Sequence, residues 1–161
     1  MLFRLLVWTH VVAACFWVGG ILFFALVLVP ALRRSGSPQV ALLQLIGRRF
    51  RAWGWGSVAV LVLTGLGNVL YRVPATELLR SELWSSPWGQ ILALKLGLVA
   101  SVVAVSFAHD VLGTRAVQAA KRDGASREAA RLRAWASILG RVDGVLVLAV
   151  LFVAVVLVRG W

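Results

Sequence analysis

The stretch LLVWTHVVAACFWVGGILFFALVLV, residues 5–29, decides the fold. It carries no charged side chain, and about 20 apolar residues suffice to cross the roughly 30 Å hydrocarbon core of a bilayer. Within it stands one imidazole, His10. A segment in hydrocarbon gains nothing from an imidazole for its own sake, so His10 must hold something. Three further apolar stretches of similar length follow, at about 53–71, 88–108 and 140–158. The chain has 161 residues, 61% of them hydrophobic, and a mean hydropathy of +0.90. That composition excludes an ordinary soluble domain. Short connections favour antiparallel neighbours. The expected fold is therefore all-α, an integral membrane antiparallel four-helix bundle forming a single domain over 1–161, with the lipid bilayer as its first partner.

The formal net charge of +11 is a topology signal. The first connection carries Arg33, Arg34, Arg48, Arg49 and Arg51 without an acid. The third carries Arg115, Lys121, Arg122, Arg127, Arg131 and Arg133 against Asp110, Asp123 and Glu128. The middle one has only Arg72 and Arg80, balanced by Glu77 and Glu82. Basic connections stay on the cytoplasmic side during insertion. Connections one and three are thus expected inside, with both termini outside the cell's inner (plasma) membrane. No nucleic-acid partner is needed to explain the charge.

Cys15 is the lone cysteine and has no intrachain disulfide partner. VAAC resembles a lipoprotein-processing box, but the apolar run continues past the cysteine, so no such processing is expected. Cys15 reads as a small core residue. Pro30, Gly36 and Pro38 punctuate the exit of the first helix. The segment QVALLQLIGRRFRAW then reads as an amphipathic surface helix or as an early extension of helix two. The outer connection holds a short helical stretch with Trp84 and Trp88 at the interface. Helical spacing after span three breaks at Gly124, and Gly65 and Gly67 would let helices approach closely.

Ionisable residues inside a span cost about 2.5–3.5 kcal/mol on insertion scales and mark functional candidates. In the expected topology His10 lies about five residues, roughly 8 Å, below the outer boundary. Lys95 lies roughly 10 Å down helix three. Thr64 and Asn68 are four apart on one face of helix two. One outer layer would then contain His10, Thr64, Asn68 and Lys95, the arrangement bundles use for cofactor sites. His109 falls near the cytoplasmic end, roughly 20 Å from the His10 level, so the two histidines are not expected to share a metal. The simpler reading of His10 is a hydrogen bond to a neighbouring helix carbonyl, and that of His109, beside Asp110 at an interfacial helix end, is a structural role. Arg141 and Asp143 fall at the start of span four, where neither needs a buried site.

Taken as a set, HVVAACFWVGG, FRAWGWGSVAVLVLTGLGNVL, SPWGQILALKLGLV and AHDVLGTR resemble the membrane domain of the copper resistance D (CopD) family, with that family's lysine at Lys95. The resemblance implies copper uptake or resistance. A remoter likeness is to the HemJ-type protoporphyrinogen oxidases. It rests on His10, Trp17, Gly19 or Gly20, and the Lys95–Leu96 pair, and it implies b-type haem with the helix-one histidine as axial ligand. Copper(I) prefers thiolate and thioether ligands, and this chain has one cysteine and one methionine. A haem b or related porphyrin suits the residues better. His10 is its axial ligand, Lys95 or Arg72 pairs with a propionate or Lys95 serves as sixth ligand, and Trp17 packs on the ring or in the core. Copper is the alternative cofactor, with His10 and secondarily His109 as metal ligands. A non-catalytic membrane partner with polar interhelical contacts is a third reading. A redox or metal-delivery partner would meet the outer face. No carboxylate pair, nucleophile–base arrangement or phosphate loop points to a reaction.

The topology has a direct test. In a background lacking Cys15, Ser85→Cys should react with an impermeant thiol reagent added outside, and Ser35→Cys should not. Outside labelling of Ser35→Cys would invert the orientation.

Overall fold

The computed structural model describes residues 1–34, 40–124 and 126–159. In chain order the elements are α1 (Leu2–Phe23), a π-helical stretch (Phe24–Leu28), α2 (Val29–Arg34), α3 (Val40–Arg72), a 3-10 turn (Glu77–Leu79), α4 (Ser81–Ser85), α5 (Pro87–Asp123) and α6 (Arg127–Arg159). The fold is all-α, and no strand occurs among the described residues. Four helical spans are long and apolar enough to cross a membrane: Leu2–Leu32, Leu45–Arg72, Pro87–Asp123 and Arg127–Val158. Large apolar side chains such as Leu26, Leu63, Val145 and Phe152 remain exposed on them, as hydrocarbon solvent requires. The chain divides into two compact units, Met1–Arg80 and Ser81–Trp161, each built on one helical hairpin.

In the first unit α1 and α3 run antiparallel, and contacts along their length set the register. Phe3 stacks on Tyr71 with ring centroids 4.6 Å apart. Leu6 lies against Gly67, His10 against Gly65, Trp17 against Gly54, and the Phe50 ring over Gly20. Hydrocarbon gives apolar side chains no drive to leave it, so close packing through small residues holds such helices together. Gly65 and Gly67, singled out in the sequence, thus face His10 and Leu6 across this interface.

Pro30 does not end the first helix. The helix runs through it to Arg34 by way of five residues of π-helix immediately upstream. A proline ring inside an α-helix clashes with the carbonyl one turn earlier, and a π-bulge opens the turn that would clash. Residues 35–39, with the expected punctuation at Gly36 and Pro38, lie outside the described residues. Helix α3 is continuous from Val40, which selects an extension of helix two over a separate surface helix for residues 40–53. Cys15 is exposed, which corrects its expected place in a core.

In the second unit Ser86 starts α5. Its backbone is extended, its hydroxyl accepts a hydrogen bond from the Gly89 amide, and Pro87 follows at the first helical position, where its missing N–H costs nothing. Helix α5 has 37 residues, about 55 Å at 1.5 Å per residue, far more than the bilayer core requires. It ends at Gly124, whose φ of 64° is the left-handed conformation glycine adopts freely. Ser126 then caps α6 by accepting a bond from the Ala129 amide. Along α6 the buried residues Ala129, Ala136 and Asp143 recur at heptad spacing. Val102 and Ala116 do so on α5, with His109 midway. This is the seam of an antiparallel coiled-coil-like pair, mostly alanine and valine.

A methyl group at Gly89 would meet the Leu83 carbonyl and backbone, which yield less readily than a side chain. Gly89→Ala should therefore destabilise the chain by about 1–3 kcal/mol, as overpacking does, while Gly97→Ala, which meets nothing, should not. Thermal unfolding of both variants in detergent reads the difference.

Candidate functional site

The polar layer of the first hairpin follows from one hydroxyl. Thr64 is buried on α3 and donates its hydrogen to the Val60 carbonyl of its own helix at 2.6 Å. Its oxygen also lies 2.8 Å from His10 Nδ1. A hydroxyl has a single hydrogen to give. With that hydrogen on Val60, the His10 Nδ1 supplies the proton of the second bond and Thr64 accepts it. The network thereby assigns the tautomer, and Nε2 carries the ring's lone pair. The imidazole edge faces Gly65, with His10 Cε1 3.4 Å from where a Cβ would stand, an ordinary van der Waals distance.

Asn68 is one turn beyond Thr64. Its Oδ1 is buried without a hydrogen-bond partner among the described residues. Buried polar atoms are rarely left so, and this one marks an acceptor beside the His10–Thr64 pair. Trp17, two turns from His10 on the same helix, lies with its indole edge near Gly54 and so contributes to helix packing. Arg72 is the exposed last residue of α3. Lys95, half-buried on α5, belongs to the second unit. The first hairpin thus brings His10, Thr64 and Asn68 together from the expected set.

The second hairpin has a polar cluster of its own, of which sequence reasoning named His109 and Asp143 but not Ser106. His109 Nδ1 lies 2.8 Å from the Ala136 carbonyl. A carbonyl only accepts, so Nδ1 is again the protonated nitrogen. The ring sits over Gly140, one turn on from Ala136, where a side chain would have screened that carbonyl. Asp143 is 7% exposed, and its Oδ2 accepts a hydrogen bond from Ser106 Oγ at 2.8 Å. Its Oδ1 is buried and lacks a partner among the described residues. This corrects the expectation that Asp143 needs no buried site. Helix α6 begins at Arg127, so Asp143 stands in its middle and on its packed face. Arg141 is exposed and reaches Ser137 Oγ at 3.3 Å. The available signal was the pairing of Ser106 with His109 and of Gly140 with Asp143, each three apart and hence on one face.

Among the described residues no group of three or more His, Cys, Asp or Glu comes together to hold a metal ion. The family model for copper resistance protein D matches residues 44–157. The chain belongs to that family. The matched region begins after α1 and contains Thr64, Lys95, His109 and Asp143, but not His10. A protein of Aquifex aeolicus (strain VF5) described as uncharacterized is 32% identical over 154 residues, covering 94% of this chain and 92% of its own length. No solved structure matches. None of these matches extends to the HemJ-type proteins.

The Thr64–His10 bond makes a measurable demand. Thr64→Val keeps the side-chain shape but leaves the imidazole N–H without its acceptor, a loss of about 1–3 kcal/mol. Thr64→Ser should restore most of it. Thermal unfolding gives the energy, and nitrogen NMR of labelled histidine should show Nδ1 protonated in the wild type and a tautomer mixture in Thr64→Val.

Proposed function

We propose that this copper resistance D family member binds a haem b, or a related porphyrin, with His10 as an axial ligand. The observation that supports the reading is the Thr64–His10 bond. A metal-ligating histidine characteristically donates its other ring N–H to a neighbouring acceptor, which orients the ring and directs the remaining nitrogen's lone pair at the metal. The donor chemistry also fits. A porphyrin supplies four nitrogens itself and asks the protein for one or two, whereas a bare ion needs several protein donors gathered together. When bound, such a group supplies one-electron chemistry. The chain's own part is to hold the imidazole over Gly65 and to keep its Nδ1 protonated. Asn68 offers a buried acceptor one turn away, and the reading draws on no residue of the second unit. We place the protein in the inner (plasma) membrane with both termini outside, which would present this layer to a redox or metal-delivery partner on the outer face.

Copper uptake or resistance is the second reading, favoured by the family match. Against it stand the preference of copper(I) for thiolate and thioether ligands and a chain with one Cys and one Met.

The absorption spectrum of detergent-purified protein separates the two. A Soret band should copurify and be unaffected by withholding copper from the medium. His10→Ala should abolish it without loss of helical circular dichroism, and His109→Ala should retain most of the haem per protein. A colourless preparation that carries stoichiometric copper would establish the second reading instead, and undiminished haem in His10→Ala would remove its role as ligand.

A further inference from the structure

We propose that the turn end of the second hairpin, around Gly124, binds the headgroup of an anionic phospholipid in a cleft where Arg115, Lys121 and Arg122 hold the phosphate. The cleft is open, has a volume of about 530 Å³ and is lined by Arg115, Gln118, Lys121, Arg122, Glu128 and Leu132. That volume falls within the roughly 300–1,000 Å³ of small-molecule sites. Three cations against one carboxylate give the lining a net positive charge. Among the described residues none of the three cations is in an ion pair, so their charge is available to a ligand. The wall behind them is fixed. Ala116, Ala119 and Ala129 are buried where α5 meets α6, and small residues of this kind let two helices approach closely.

Position along the helix selects a lipid over a soluble anion. The apolar stretch of α5 ends at Ala108, and Arg115 is seven residues further, roughly 10 Å at 1.5 Å per residue. Headgroups occupy roughly 5–8 Å beyond the hydrocarbon core on each side, so the cleft opens at their edge. Side-chain direction closes the remaining distance. Side chains on a helix tilt towards its N-terminus. On α5 that is towards the bilayer, so the three cations lean back onto the headgroup layer. On α6, which runs the other way, Glu128 leans out towards water.

On its bilayer side the cleft turns apolar. Leu132 lines it, and Trp135, half exposed, is three residues on and hence on the same face of α6, one turn nearer the bilayer. Tryptophan favours the headgroup level of a membrane. Cations, then leucine, then tryptophan form a path graded from charged to apolar, which matches phosphate, glycerol backbone and acyl chain in that order. A free phosphate would use only the first part. Gln118 and Glu128 add acceptors for a hydroxylated head such as that of phosphatidylglycerol. Basic pockets between helices at a membrane surface hold anionic headgroups in this way. The site uses no residue of the first hairpin, and it stands whichever leaflet this end of the second hairpin enters.

The test titrates delipidated full-length protein in detergent with phosphatidylglycerol and, separately, with phosphatidylcholine of the same acyl chains, and reads the bound fractions by native mass spectrometry. The first phosphatidylglycerol should bind at least about 10-fold more tightly than phosphatidylcholine. Arg115→Gln, Lys121→Gln and Arg122→Gln combined should abolish that preference, while the charge-preserving pair Arg115→Lys and Arg122→Lys should keep most of it. Arg127→Gln, Arg131→Gln and Arg133→Gln combined remove equal charge from the same end without touching the cleft lining, and should also keep most of it. Glycerol phosphate, which lacks acyl chains, should fail to displace the lipid at equal concentration. All the substituted residues are exposed, and circular dichroism checks that each variant is folded. Equal loss in the two triple variants would overturn the site in favour of diffuse surface charge. Undiminished preference in the cleft variant would overturn it outright, and displacement by glycerol phosphate would do so in favour of a soluble anion.

Discussion

Hydrocarbon contains no hydrogen-bond donors or acceptors, so every polar group in a membrane span must be satisfied by protein or ligand. That constraint makes the chain helical and disposes of its backbone. It leaves a handful of side chains, chiefly His10, Thr64, Ser106, His109 and Asp143, whose partners lie across a helix interface. Glycines face both imidazoles: His10 lies against Gly65 where it meets Thr64, and His109 lies closer still against Gly140 where it meets a backbone carbonyl. The same small residues bring the helix axes close enough for dispersion to hold the hairpins together.

The two hairpins therefore share a device without sharing a sequence. In each, an imidazole on the first helix lies over a glycine of the second and gives its Nδ1 proton to that helix. The acceptors differ: a threonine hydroxyl in the first unit and a main-chain carbonyl in the second. Their surroundings differ as well. His10 has a neutral amide oxygen as its unsatisfied neighbour, and His109 has a buried carboxylate. Neutral surroundings suit a ligand to a macrocycle that brings its own donors.

Family membership and site chemistry pull on different parts of the chain. The family match spans residues 44–157, which includes both helices of the second hairpin and omits the helix that carries His10. The haem reading depends on a residue outside that region.

Several features were legible from residues alone because they depend on neighbours in sequence. Span number and helical character follow from apolar length, and the break between α5 and α6 from Gly124. The facing of Thr64 and Asn68 to one side follows from helical periodicity. Their small size singled out Gly65 and Gly67 as places where helices could approach. Pro30 was misread as a stop because a π-bulge that absorbs a proline has no compositional mark of its own. Cys15 was misassigned to a core because its residue type says nothing about which side of α1 meets α3. Asp143 was taken for a boundary residue because the apolar count begins near it, although α6 starts at Arg127. The sequence by itself determined which residues share a helix face. Only the tertiary structure decided which faces meet and at what level: that depends on side chains from distant segments packing together, as when Ser106 finds Asp143 and Thr64 finds His10.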